Sequence, residues 1–226
     1  MRVLKRKYLY YNLLTYIPLI ITLITLPFFS KTIPAHYDIA GNIDRYGSKY
    51  ENLILPCFII IVSLITKQII TKLVNRNSKS AKIEQVIYYV CTASMLVLNV
   101  MTFLFLYKSF FLSKNLDEPF YADIYKIMFT AMGIFFIVTG NVVAKSKQNN
   151  IFGIRTHWTM KSDRVWFLCQ KFGGWSLITY GVIVIFGNFF YFQGIQCLVF
   201  SIGGMLFLAV FIFIGTYYIA KKNTNT

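Results

Sequence analysis

The sequence predicts an all-α polytopic membrane helix bundle of about six transmembrane helices, with an ordered outer loop and a short cytoplasmic interfacial helix. Three observations lead there. Of 226 residues, 57% are hydrophobic and only 14% charged, too little polar surface to solvate a globule of this length. The apolar residues gather in blocks close to the ~20 needed to cross a ~30 Å hydrocarbon core. The density of basic residues alternates from one connecting segment to the next, which is the positive-inside pattern.

The spans read as roughly 8–29, 53–74, 85–107, 123–143, 174–192 and 196–219. The first follows Arg2, Lys5, Arg6 and Lys7 and is longer than the ~7–15 apolar residues of a signal-peptide core. Ser30 to Pro34 offers no small-x-small cleavage pattern, so the block is expected to stay as a membrane span. Six crossings put both termini on the cytoplasmic side. Fifteen Lys and Arg then fall in cytoplasmic segments and five outside: Lys31, Arg45, Lys49, Lys108 and Lys114. A net charge of +15 would point to nucleic acid in a soluble protein, but here it follows topology, and no direct nucleic-acid contact is expected.

Three lysines fall inside the spans. Lys67 and Lys72 are expected to snorkel from the cytoplasmic half of the second helix, and Lys126 to pair with Asp123 one turn away. Thr92, Asn99 and Thr102 share a face of the third helix, and Asn99 near mid-membrane must find a partner in the bundle. Thr130, Gly133, Gly140 and Ala144 share another face, as do Ser201, Gly204 and Gly215, and both read as packing seams. Pro18, Pro27 and Pro56 permit kinks in the first two helices. Cys57, Cys91, Cys169 and Cys197 have neither metal-type nor redox spacing. The spans group into an N-terminal two-helix module, 8–74, and a C-terminal four-helix module, 85–219.

Two polar segments differ from generic connections. The outer one runs Ile33-Pro34-Ala35-His36-Tyr37-Asp38-Ile39-Ala40-Gly41-Asn42-Ile43-Asp44-Arg45-Tyr46-Gly47-Ser48-Lys49. Gly41-Asn42 and Tyr46-Gly47-Ser48 are turn signals, so a compact loop is expected. His36, Asp38 and Asp44 are the residue types that ligate cations or move protons at an outer-surface enzyme site. Neither a further ligand pair nor a nucleophile accompanies them, so a metal-free loop, self-bonded or presented to an extracellular partner, is the expectation, with no metal and no cofactor.

The second segment, on the cytoplasmic side, contains Phe152-Gly153-Ile154-Arg155-Thr156-His157-Trp158-Thr159 and continues through Ser162-Asp163-Arg164-Val165-Trp166 to Phe172-Gly173-Gly174. Ser162 can cap a short helix with Asp163 in its first turn, and Val165, Trp166, Cys169 and Phe172 then share its apolar face. Arg155 is singled out because a guanidinium beside Gly153, Thr156 and Trp158 can fork onto carbonyls, a carboxylate or a lipid phosphate. It can equally anchor the topology, clamp the fourth helix to the fifth, or meet a partner.

With these two segments, the chain resembles the Sdp immunity-protein family of bacterial membrane proteins. Ile33-Pro34-x-His36-Tyr37 with Gly41, Asp44 and Tyr46-Gly47-Ser48-Lys49 looks like that family's N-terminal module, whose biochemical role is unknown. Phe152-Gly153-Ile154-Arg155-Thr156-x-Trp158-Thr159, then Val165-Trp166 and Gly173-Gly174, is similar to its C-terminal module, with His157 where the family commonly has Pro. The resemblance implies a non-enzymatic protein of the bacterial cytoplasmic membrane that contacts lipid and protects the producing cell from a secreted toxic peptide. It also implies a cytoplasmic transcriptional repressor as a second partner, held at the membrane. A small-solute transporter or channel using Asn99 and Lys67 is the alternative reading, and an enzyme using His36, Asp38 and Asp44 is another.

Overall fold

A computed structural model describes residues 2–38, 43–76, 81–113, 123–149 and 152–224. Six helices dominate: α1 (Arg2–Thr25), α2 (Ile54–Arg76), α3 (Ala81–Ser113), α4 (Ile124–Val143), α5 (Asp163–Phe190) and α6 (Ile195–Thr224). Between α1 and α2 the chain forms two antiparallel strands, β1 (Thr32–Tyr37) and β2 (Ile43–Ser48), and then a 3-10 turn, Lys49–Leu53. All six helices contain stretches long and apolar enough to cross a bilayer, so this is a multi-pass membrane protein. Side chains such as Ile24, Phe58, Ile61, Phe186 and Phe207 stay exposed on the bundle. In hydrocarbon such exposure costs nothing, and packing and interhelical hydrogen bonds hold the helices together instead.

At the α1–α3 contact a backbone defect is repaired by a side chain. Pro18 lies inside α1 and has no N–H, so the Leu14 carbonyl one turn earlier loses its helical donor. The Asn99 side-chain amide of α3 donates to that carbonyl at 3.0 Å and to its own Met95 carbonyl at 2.7 Å. The partner expected for Asn99 is therefore the main chain of α1. Asn99→Leu is expected to destabilise the protein by ~1 kcal/mol, the usual worth of an interhelical hydrogen bond in a membrane. Pro18→Ala, which restores the donor to Leu14, is expected to recover part of the loss. Thermal unfolding of the two single variants and the double variant in detergent measures this, and strict additivity would refute the repair.

Nearby, the Thr15 and Ser63 hydroxyls lie 2.9 Å apart between α1 and α2, and Tyr11, Tyr88 and Met95 form a buried cluster. Lys67 does not simply extend along lipid. Its Nζ lies 5.7 Å from the centres of both the Tyr11 and Tyr16 rings of α1.

Helices α4 and α5 approach closely, their glycines meeting backbone to backbone. A Cβ added at Gly140 would lie 2.5 Å from the Gly174 carbonyl oxygen, and one at Gly181 would lie 2.5 Å from that of Gly133. Ala144 closes the row, since a Cβ on Gly174 would lie 2.6 Å from the Ala144 nitrogen. The α4 seam expected from Gly133, Gly140 and Ala144 thus has its counterpart in Gly174 and Gly181. On α6, Gly204 lies under Tyr180 and Gly215 under Phe172, and the Tyr180 hydroxyl donates to the Ser201 carbonyl.

Three expectations need correction. The short helix after Ser162 is not separate: Ser162 accepts from the Val165 N–H at 3.2 Å, and the helix it caps runs on to Phe190. Gly173-Gly174 does not break it, because Gly174 sits in the α4 seam, where packing offsets glycine's poor helix propensity. Asp123 does not pair with Lys126. Its carboxylate caps α4 by accepting from the Lys126 backbone N–H at 3.1 Å, and also accepts from the Gly194 N–H at 2.6 Å in the α5–α6 turn. Finally, Tyr46 and Gly47 are strand residues and not a turn, for reasons given with the hairpin below.

Candidate functional site

The hairpin is built against the ends of α2 and α3. Ile33 is buried with Phe29 and Leu106, while β2 turns outward, with Asp44, Arg45 and Tyr46 exposed. In the register, Ile33 faces Gly47 and Pro34 faces Tyr46, with irregularities at His36 that leave His36 opposite Arg45. Proline in a strand needs its missing donor to face away from the ladder or a bulge, and Pro34 stands at this irregular stretch. A side chain at Gly47 would strike the Glu51 carboxylate and the Ala35 side chain, so glycine here serves a close approach within the strand.

Glu51 holds the corner together. It receives the Ser48 N–H at 3.3 Å while the Ser48 hydroxyl accepts from Tyr50 N–H at 3.4 Å, a capping box for the 3-10 turn. Its two carboxylate oxygens also accept from the Arg45 guanidinium at 3.2 and 2.8 Å, and this hydrogen-bonded partner raises the Arg45 pKa above its ordinary value. Further out, the His36 Nδ1–H donates to the Asp44 carboxylate at 2.7 and 2.9 Å; an ionised carboxylate can only accept, which fixes the donor. His36 and Asp44 are 63% and 44% exposed, so the pair faces the surroundings rather than the core. Among the described residues no third His, Cys, Asp or Glu joins them. The Asp38 carbonyl accepts from the Tyr125 hydroxyl at 3.3 Å, tying the hairpin to α4. Gly41 lies outside the described residues. Beneath the hairpin a cleft of about 240 Å³ opens, lined by Ile33, Pro34, Arg45, Glu51, Asn52 and Thr102 among others.

At the opposite end of the bundle, residues 144–149 and 152–162 are clasped to α5 and α6 by side chains acting on their main chain. The buried Gln170 amide accepts from the Ile154 N–H and donates to the Ile154 carbonyl, both at 2.8 Å. The Thr159 hydroxyl donates to the same carbonyl at 2.9 Å, and it accepts from the Thr156 N–H at 2.9 Å. Trp166, 1% exposed, donates its indole N–H to the Ser146 carbonyl at 2.9 Å. Gly153 has φ +116°, and a Cβ there would lie 2.7 Å from the Gln170 oxygen, so both backbone conformation and space call for glycine. Trp158 stacks edgewise on Phe213 and Tyr217, and its N–H donates to the Thr216 hydroxyl at 3.4 Å. Phe152 joins through its backbone N–H, which the Asn149 side chain accepts at 2.8 Å. Arg155 stands apart. It is exposed and makes no hydrogen bond or ion pair among the described residues, so no clamp from it to α4 or α5 is present there.

The two motifs therefore lie at opposite ends and do different things. Pro34, Gly47, Ser48, Gly153, Thr156, Thr159, Trp158 and Trp166 are held in structural contacts. His36, Asp44, Tyr46 and Arg155 present polar groups outward. Lys49 links to Lys31 through its backbone N–H at 3.2 Å, with its Nζ 5.9 Å from the centre of the Tyr50 ring. Sequence reasoning missed Glu51 and Gln170. Ser48-x-x-Glu51 was legible as a capping box. A glutamine on the apolar face of a helix beside Trp166 was the corresponding sign for Gln170, since a buried amide must find partners.

These two segments coincide with what is similar elsewhere. The SdpI/YfhL protein family matches residues 145–217, from the clasped segment through α6. Over these residues the chain is similar to that family. A second family, described as a domain of unknown function (DUF1648), matches residues 13–60, which include the hairpin. Immunity protein SdpI of Bacillus subtilis (strain 168) is 33% identical over 91 residues, covering 40% of this chain and 43% of that protein. The match thus spans less than half the length of that relative. No solved structure matches the chain.

Proposed function

We propose that this protein is a membrane immunity protein that protects the cell producing it from a secreted toxic peptide. The observation that carries the reading is the 33% identity to Immunity protein SdpI, with the SdpI/YfhL match over residues 145–217. The hairpin is the recognition surface in this proposal: a preorganised strand pair with His36, Asp44 and Tyr46 outward, so that little ordering cost falls on binding. The clasped segment faces the cytoplasm, where Arg155, exposed and unpaired among the described residues, and the neighbouring exposed Lys147, His157 and Lys161 offer a basic surface to a soluble repressor. Residues 8–74 and 85–219 act as the outer-recognition and SdpI-like modules respectively.

A transporter reading has less to stand on, because the Asn99 amide is engaged by two backbone carbonyls and the Lys67 ammonium lies over two tyrosines.

The functional test expresses the chain in a toxin-sensitive bacterium and challenges it with candidate secreted peptides. Survival with retained membrane potential is the expected result, and unchanged killing by every peptide from strains that carry the gene would refute immunity. The orientation has its own test. In a background without the four native cysteines, Tyr50→Cys is expected to react with an impermeant thiol reagent in intact cells, and Lys147→Cys only after lysis. Both positions are exposed, so the reverse pattern would invert the topology.

A further inference from the structure

A groove of about 680 Å³ runs between α5 and α6, starting beside Phe172 of the second motif segment and continuing along the helices beyond it. Its walls include Leu168, Phe172, Trp175, Thr179, Tyr180 and Phe211, and Lys171 stands near the Leu168 end. Local packing explains the opening. Phe172 seats on Gly215 and stacks against Phe211 at 5.3 Å, while Tyr180 seats on Gly204 and bonds to the Ser201 carbonyl. These bulky contacts hold the helices apart beside the small side chains of Ser176 and Thr179. The exposed Trp175 and Phe207 leave the groove open toward lipid.

Three features define what fits. From Leu168 to Ile183 the lining extends ~22 Å at 1.5 Å per helical residue, and the ~18 Å of it from Lys171 onward is close to the ~15 Å of one hydrocarbon leaflet. That length is walled almost wholly by aromatic and aliphatic side chains, which suits an extended alkyl chain lying along it. Counting ~20 residues back from Phe190, the end of α5, places Lys171 at the membrane interface. Its Nζ lies 5.9 Å from the Phe167 ring centre and makes no ion pair among the described residues. Exposed Arg164, Lys221 and Lys222 lie toward the same end of the two helices, with Asp163 as the nearby acid.

We propose that this groove binds one acyl chain of an anionic phospholipid from the leaflet that meets the basic ends of α5 and α6, with Lys171 holding the phosphate. The charge at the mouth selects the headgroup and the apolar walls take the chain. The site is independent of toxin recognition and stands or falls without it.

Trp175 serves as the reporter. The full chain is reconstituted in phosphatidylcholine nanodiscs carrying either dibrominated phosphatidylglycerol or dibrominated phosphatidylcholine at equal mole fraction. The Trp175 signal is the difference in emission between the wild type and Trp175→Phe. Phosphatidylglycerol is expected to quench that signal with about fivefold higher apparent affinity, the effect of one cation at an anionic interface. Lys171→Gln is expected to abolish the preference and Lys171→Arg to retain it, while Thr179→Phe, which fills the groove, lowers quenching by both lipids. Monodisperse elution of each variant verifies folding. Equal quenching by the two lipids, or an undiminished preference in folded Lys171→Gln, overturns the proposal. So does near-complete disulfide dimerisation of Thr179→Cys, which would put a second copy in the groove.

Discussion

Gly140→Leu is expected to remove most of the folded protein from the membrane, whereas Gly203→Leu, in the same bundle, is expected to leave it intact. Both substitutions add the same side chain and the same helix propensity, so propensity alone predicts a small gain for each. The surroundings differ. At Gly140 even the first added carbon would lie 2.5 Å from the Gly174 carbonyl and 2.9 Å from Ile178 and Leu177 side-chain atoms. Backbone cannot rotate aside as a flexible side chain can, so α4 and α5 must separate along their whole glycine seam. At Gly203 an added carbon meets nothing within 4 Å and points into lipid. Overpacking a tight contact ordinarily costs ~1–3 kcal/mol, and four heavy atoms forced between two backbones lie at or beyond the top of that range. Abundance of a fluorescent fusion and its thermal stability in detergent measure the contrast. Equal behaviour of the two leucine variants would mean that the α4–α5 approach does not hold the bundle together.

The legibility of this molecule in its sequence follows from which physical signals are local. Six apolar blocks of membrane-spanning length are a one-dimensional property, and all six helices lie where those blocks do. Half of the glycine seam was legible too, because Gly133, Gly140 and Ala144 share a helical face. Its partner residues Gly174 and Gly181 were not read as such, since pairing of two helices is not encoded in either one's period. The same limit hid the strands. Turn-forming residues between Ile33 and Lys49 announced a compact loop, but Gly47 is a glycine for tertiary reasons, the nearness of Glu51 and Ala35. Asp123 shows the reverse error: a carboxylate three residues before a lysine suggested an ion pair, while the open N–H groups of a helix start made the better partner. Arg155 was marked for its forked geometry, yet no fork partner meets it among the described residues, and an outward cation is read from the surface rather than from its neighbours in the chain.

Asp44→Asn and His36→Ala are each expected to abolish protection against the toxic peptide at normal abundance, while Glu51→Gln is expected to lower protection by loosening the hairpin itself. The difference comes from where each group spends its bonds. His36 and Asp44 bond mainly to each other at an exposed site, and exposed ion pairs contribute little to stability. Removing either leaves the strand register, Ile33 and the capping box untouched. Glu51 instead satisfies the Ser48 N–H and holds both arms of Arg45, so its neutral form weakens the link between β2 and the turn into α2. Limited proteolysis from the outer face is therefore expected to cut Glu51→Gln faster than wild type and to leave Asp44→Asn unchanged. Chelators are expected to have no effect on protection, because a single His–Asp pair falls short of the three or four ligands that hold zinc. Full protection by both Asp44→Asn and His36→Ala would remove the hairpin as the recognition surface. Loss of protection on chelation, restored by a stoichiometric divalent ion, would instead make His36 and Asp44 metal ligands and reassign their partners.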